Sequence, residues 1–183
     1  STPFPSTPLF RSGKPLPSEK PSRHLVGLLV VSNFVEVFLA AEGHDGLVGI
    51  NFLEKIQLPT LPSLYGAMLA DVDCILMGAG IPKAIPGILD RLARGEPVEL
   101  RLDVKGVEPG EVITTQFDPQ TFFEGELPTV ARPDFIAIVS FATLATMLHR
   151  KASGKVDGFI VEGSTAGGHN APPRGKLQLT SEG

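Results

Sequence analysis

Cysteine is almost missing from this chain. Cys74 is the one thiol among 183 residues, so an internal disulfide is excluded and a reducing, cytoplasmic setting is expected. It sits in the apolar run Val72-Asp73-Cys74-Ile75-Leu76-Met77, which reads as a core thiol rather than a nucleophile. Blocks of basic residues are missing too: 16 Lys and Arg stand against 20 Asp and Glu, a formal net charge of −4, which argues against a nucleic-acid partner. Acidic residues are scattered, without a charged tail. The longest apolar run, Leu25 to Val31, falls short of the ~20 residues a membrane-spanning helix needs, and no signal-peptide cleavage pattern is present. No membrane partner is therefore expected. What remains is a composition of 42% hydrophobic and 20% charged residues, the balance of about one globular domain.

Residues 1–24 are crowded with Pro, Ser and Lys and carry no periodicity, as in a linker or disordered tail. From residue 25 to 183 the pattern is that of one α/β domain. Leu25 to Ser32 reads as a strand and Asn33 to Ala41 as a helix closed at Gly43. Leu47 to Asn51 is a second strand ending in a polar amide, and Pro62 to Ala70 a short helix. Asp73 to Met77 is a strand followed by the loop Gly78-Ala79-Gly80. In the helix Lys83 to Ala93, Ile85, Ile88, Leu89 and Leu92 fall at helical spacing. Val98 to Val104 alternates apolar and charged residues, as a strand with one wet face does. Residues 106–133 are an irregular excursion, with a short strand at Val112 to Gln116 and a turn at Asp118-Pro119. The rhythm resumes with a strand at Phe135 to Val139, a helix at Phe141 to Arg150 and a strand at Val156 to Val161.

The last strand runs into Glu162-Gly163-Ser164-Thr165-Ala166-Gly167-Gly168-His169-Asn170. Glycines permit positive φ and let a ligand approach the main chain closely. His169 is the one side chain of this loop that exchanges a proton near neutral pH. The same spacing also suits a plain glycine-rich connection with a solvated histidine.

Strands and helices recurring every 20 to 30 residues or so imply a parallel α/β architecture with right-handed crossovers. A doubly wound sheet calls for a glycine fingerprint after its first strand, and none is present there. A (β/α)₈ TIM barrel instead spreads functional residues over several strand ends, as Asn51, the Gly78 loop, Ser140 and the Gly163 loop are spread. The barrel is the expectation. A full barrel takes about 200 residues or more, so the chain reads as a partial one, an internal fragment with terminal strands missing.

Gly49-Ile50-Asn51, the strand ends at Met77-Gly78 and Val139-Ser140, and above all Val161-Glu162-Gly163-Ser164-Thr165-Ala166-Gly167-Gly168-His169 resemble the nitronate monooxygenase (2-nitropropane dioxygenase) family. Glu54 to Pro82 is similar to a bacterial subgroup of that family. The resemblance implies a TIM barrel that binds FMN non-covalently and oxidises alkyl nitronates or nitroalkanes with O₂ to a carbonyl compound and nitrite. It further implies cofactor contacts from Asn51, Ser140, Glu162, Gly163, Gly167 and Gly168, with His169 as the catalytic base that removes the α-proton of a neutral nitroalkane; no metal is implied. Glu162 stands where the family often has Gln. The family's FMN phosphate-gripping strand ends are not in the sequence, so the isolated polypeptide is expected to be colourless and inactive. Two other readings stand beside this one: a flavin-dependent enoyl reductase of the same barrel superfamily, and a non-catalytic segment in which Asn51 and His169 merely cap strand ends.

Overall fold

In the computed structural model, residues 18, 20–106, 108, 110–123, 125–163, 166 and 167 are described. The elements run α1 (Arg23–Ala41), β1 (Gly49–Leu53), α2 (Thr60–Leu69), β2 (Cys74–Gly78), α3 (Ile85–Ala93), β3 (Val98–Arg101), β4 (Thr114–Phe117), β5 (Asp134–Val139), α4 (Ala142–Lys151) and β6 (Gly158–Val161).

The first departure from expectation is α1. The strand expected over Leu25 to Ser32 and the helix expected after it are one helix. A short β-branched apolar run is compatible with either state, and local bonding decides it. Ser22 caps the start by accepting from the Leu25 amide at 3.3 Å. Ser32 and Asn33, the polar pair at the expected break, turn back on their own helix and donate to the Leu29 carbonyl at 3.2 and 2.8 Å. The helix then seats on α2 at Gly66, where a Cβ would overlap the Val30 carbonyl. Arg23 and His24, assigned to the N-terminal tail, form its first turn. At 19 residues α1 is also long and apolar enough to cross a membrane, which corrects the reading of Leu25 to Val31 as too short.

Four strands make a parallel sheet in the order β1-β2-β5-β6. Each strand is added on the same side as the last, so the order never reverses. Right-handed crossovers then place every connecting helix on one face. The burial pattern agrees. Ile75, Met77, Phe135, Ala137 and Val139 point to that face and are buried in one core with Leu61, Leu64, Tyr65 and Met68 of α2, Ile85, Ile88, Leu89 and Leu92 of α3, and Leu144 and Leu148 of α4. The opposite face carries Leu53, Leu76, Ile136, Ile138 and Ile160, none of them buried.

The second departure is β3, which is not a member of the parallel sheet. It pairs antiparallel with β4, from within the 106–133 excursion, as a separate two-stranded sheet. Its alternation of buried and exposed residues has the expected wet face, but the buried side (Val98, Leu100) packs on α2 and α3. Aromatic rings fill this layer: Tyr65 stands 5.3 Å from Phe117 and 6.3 Å from Phe123, centroid to centroid. The turn at Asp118-Pro119 is a 3₁₀ turn over Pro119–Thr121, with Asp118 accepting from the Gln120 amide at 2.9 Å.

A polar clamp holds the amino-terminal edge of the sheet. Arg132, ahead of β5, reaches Asp90 of α3 and Asp157 ahead of β6, both at 2.6 Å. Its guanidinium also donates to the Pro133 and Lys155 carbonyls at 2.8 and 2.7 Å. Asp157 accepts from the Phe135 amide at 2.8 Å as well, so one carboxylate registers β6 against β5.

Candidate functional site

Functional groups of parallel α/β proteins gather at the carboxyl ends of the strands. At the β1–β2 part of that edge the structure corrects the placement of Asn51. β1 continues to Leu53, so Asn51 is mid-strand, level with Leu76 and Ile136 and exposed on the face opposite the core. The first side chain past the strand is Glu54. Its amide donates to the Gly78 carbonyl at 2.9 Å, and its carboxylate accepts from Gln57 at 3.4 Å and from the Ile81 amide. That carboxylate lies on the backbone of Gly80, where a Cβ would overlap it. Glycine at position 80 is therefore a matter of space. Its neighbour Ala79 holds φ at 55°, a left-handed conformation that costs a non-glycine residue on the order of 1 kcal/mol or more.

Burial, and then the nearby Asp103 carboxylate, push the Glu54 carboxyl above its usual range; the bonds from Gln57 and the Ile81 amide oppose this. Gln57 completes the connection by accepting from the Asp103 amide at 2.7 Å, which ties the end of β3 to the β1–α2 loop. A pocket of about 320 Å³ opens here, lined by Glu54, Gln57, Met77, Lys83, Leu100 and Asp103 among others. Residue type and position alone did not single out Glu54. Extending the β1 alternation by two residues, to Leu53, is the signal that finds it.

At the β5–β6 part of the edge, Ser140 follows β5 half-buried, and the Glu162 amide donates to the Val139 carbonyl at 2.8 Å. Glu162 itself is half-buried. The chain then turns, with the Ala166 amide donating to the Gly163 carbonyl at 3.1 Å. Neither Gly163 nor Gly167 adopts positive φ, contrary to the expectation for a glycine loop, and a Cβ at either would meet no atom of the described residues within 4 Å. Among the described residues, neither backbone strain nor crowding calls for glycine at these two positions. Gly168 and His169 lie outside the described residues.

The expected site residues thus fall into two groups. Ser140, Glu162, Gly163 and Gly167 share the β5–β6 edge. Asn51 lies on the other edge strand, three strand spacings or roughly 14 Å away in a flat sheet. The pairings also put it level with Gly158, four residues short of Glu162. The described residues do not bring Asn51 against the glycine loop.

Cys74 opens β2 and is half-buried on the face opposite the core, not in the core as expected. Burial, with Asp73 and Asp134 adding to it, pushes its thiol up, away from the reactive thiolate. Among the described residues no three His, Cys, Asp or Glu side chains group as metal ligands do. Comparison of the chain with protein-family models, with characterised proteins and with solved structures gave no match.

Proposed function

We propose that the chain forms part of an FMN-dependent oxidoreductase of the nitronate monooxygenase type, built on a (β/α)₈ barrel and acting on small nitroalkanes or nitronates with O₂ in the cytoplasm. The observation that carries the reading is the strand order. A parallel sheet that grows in one direction, with helices on one face and the apolar side chains of Leu76, Ile136, Ile138 and Ile160 on the other, is what a segment of barrel wall requires. In a closed barrel that apolar face becomes the packed interior, and β1 and β6 gain neighbours at their open edges.

The β5–β6 edge fits a flat ring laid against the main chain. Among the described residues nothing stands within 4 Å of where a Cβ of Gly163 or Gly167 would be, and Ser140 and Glu162 flank the same edge. Curling of the sheet is what would carry Asn51 toward this group. Bound FMN would supply the redox chemistry, accepting the substrate's electrons and passing them to O₂. The chain's own part is orientation and proton transfer: His169, two residues beyond Gly167, takes the α-proton of a nitroalkane, a carbon acid within reach of imidazole.

The test is made on the complete gene product. Bound flavin absorbance, with O₂ uptake and nitrite release from a nitroalkane, is the expected result. A colourless protein, or one that oxidises NADH with an enoyl thioester and leaves nitronates untouched, overturns the assignment.

A further inference from the structure

The helix α1 buries one side and leaves an ordered apolar stripe on the other. Leu28, Val31, Val35 and Phe38 are exposed, Val31 and Phe38 by 56% and 57%. Their spacing of three, four and three residues makes a straight seam about 15 Å long, the repeat by which two helices pack knobs into holes. The opposite side is already occupied: Val30 and Val37 are buried in the core, and the Val30 carbonyl sits on Gly66 of α2. The stripe thus belongs to a helix anchored to its domain, and a contiguous exposed apolar stripe of this kind marks an interaction surface.

The charges around the stripe select the occupant. Lys20, Arg23 and His24 stand exposed at its amino-terminal end, and Glu42 and Asp45 exposed at its carboxyl-terminal end. We infer that α1 is the contact of a two-fold symmetric homodimer, in which the α1 helices of two copies pair antiparallel along Leu28, Val31, Val35 and Phe38. In that register Leu28 meets Phe38 of the second copy and Val31 meets its Val35. The same register sets His24 beside the second copy's Glu42, and Lys20 and Arg23 over the segment that carries its Asp45. Each basic end thereby faces an acidic one, twice by symmetry. A parallel pairing would set like charges together. A bilayer is the poorer occupant, because a span along α1 would carry the exposed Glu36 into hydrocarbon.

The experiment is analytical ultracentrifugation of the full 183-residue chain from micromolar concentrations upward, with cross-linking and vesicle flotation. The expected result is a dimer. Val35→Asp, at an exposed position that leaves the fold intact by circular dichroism, should weaken it about tenfold or more. In a Cys74→Ser background, chains carrying Leu28→Cys mixed with chains carrying Phe38→Cys should form a disulfide-linked pair, and Leu28→Cys alone should not. A monomer at every concentration overturns the inference, as does a dimer indifferent to Val35→Asp. Cross-linking of Leu28→Cys to itself does so as well, since it indicates parallel helices. So does flotation of the monomer with phosphatidylcholine–phosphatidylglycerol vesicles in place of dimerisation.

Discussion

The Arg132 guanidinium lies 2.6 Å from the Asp157 carboxylate, whose side chain is only 6% exposed. Burial alone would raise the Asp157 carboxyl. Lys155, the Phe135 amide and Arg132 outweigh it and hold the group below its usual range. A carboxyl depressed by folding adds stability above its unfolded value of 3.8, and that contribution is lost as pH falls through the lower folded value. Arg132→Ala should therefore cost about 1–3 kcal/mol near neutrality, because it takes one of two cations from Asp157, which keeps Lys155 and the Phe135 amide, and frees Asp90. The loss should shrink once Asp157 is protonated. Urea unfolding at pH 7 and below pH 3.8 measures both; an equal loss at the two pH values contradicts the linkage.

Glu54 carries the opposite sign. Its carboxyl is raised by folding, so its burial favours the fold most below the unfolded value of 4.5, and the advantage disappears as pH rises through the folded value. Glu54→Gln should flatten that rise in stability on acidification and be neutral or stabilising at pH 7, where it removes a charge facing Asp103. Urea midpoints across this range are the readout. A variant as pH-dependent as the parent would place the titration elsewhere.

Gly66→Ala sets two effects against each other. Alanine favours a helix over glycine by about 1 kcal/mol. At this position its Cβ meets the Val30 carbonyl oxygen, with the carbonyl carbon and Cα of Val30 at 2.9 and 3.0 Å. Overpacking costs typically 1–3 kcal/mol, and here it falls on backbone, which cannot step aside as a side chain does. Net destabilisation and a looser α1 are expected, read as a lower thermal midpoint and faster amide exchange in α1. A stabilised variant would mean that α1 does not sit on Gly66.

The proposed chemistry has its own discriminating variant. In the complete gene product, His169→Asn should abolish turnover of a neutral nitroalkane while sparing pre-formed nitronate, since only the first needs a base. Steady-state O₂ uptake with both substrates separates the cases. Equal loss on both removes proton abstraction from His169.

Much of the α/β rhythm was legible in the residues. Helix α3 declared itself through Ile85, Ile88, Leu89 and Leu92, all buried on one side, and β2, β5 and β6 through short apolar runs between polar breaks. Local spacing suffices there because the apolar period and the turn residues agree. For α1 they did not agree. Val30 and Val31 suit a strand, and only the seat on Gly66 and the back-bonds of Ser32 and Asn33 settle them as helix.

Which strands become neighbours is a different kind of fact. Nothing in Val98 to Arg101 states that β3 leaves the parallel sheet for an antiparallel partner, and nothing in Glu54 states that Gly80 and Asp103 will press on it. Element identity follows from bonds and side-chain periods within a few residues, which the order of amino acids carries directly. Pairing, the burial that raises Glu54, the Arg132 contact that helps to lower Asp157, and the separation of Asn51 from the glycine loop arise between segments distant in sequence, and only the folded chain brings those segments into contact.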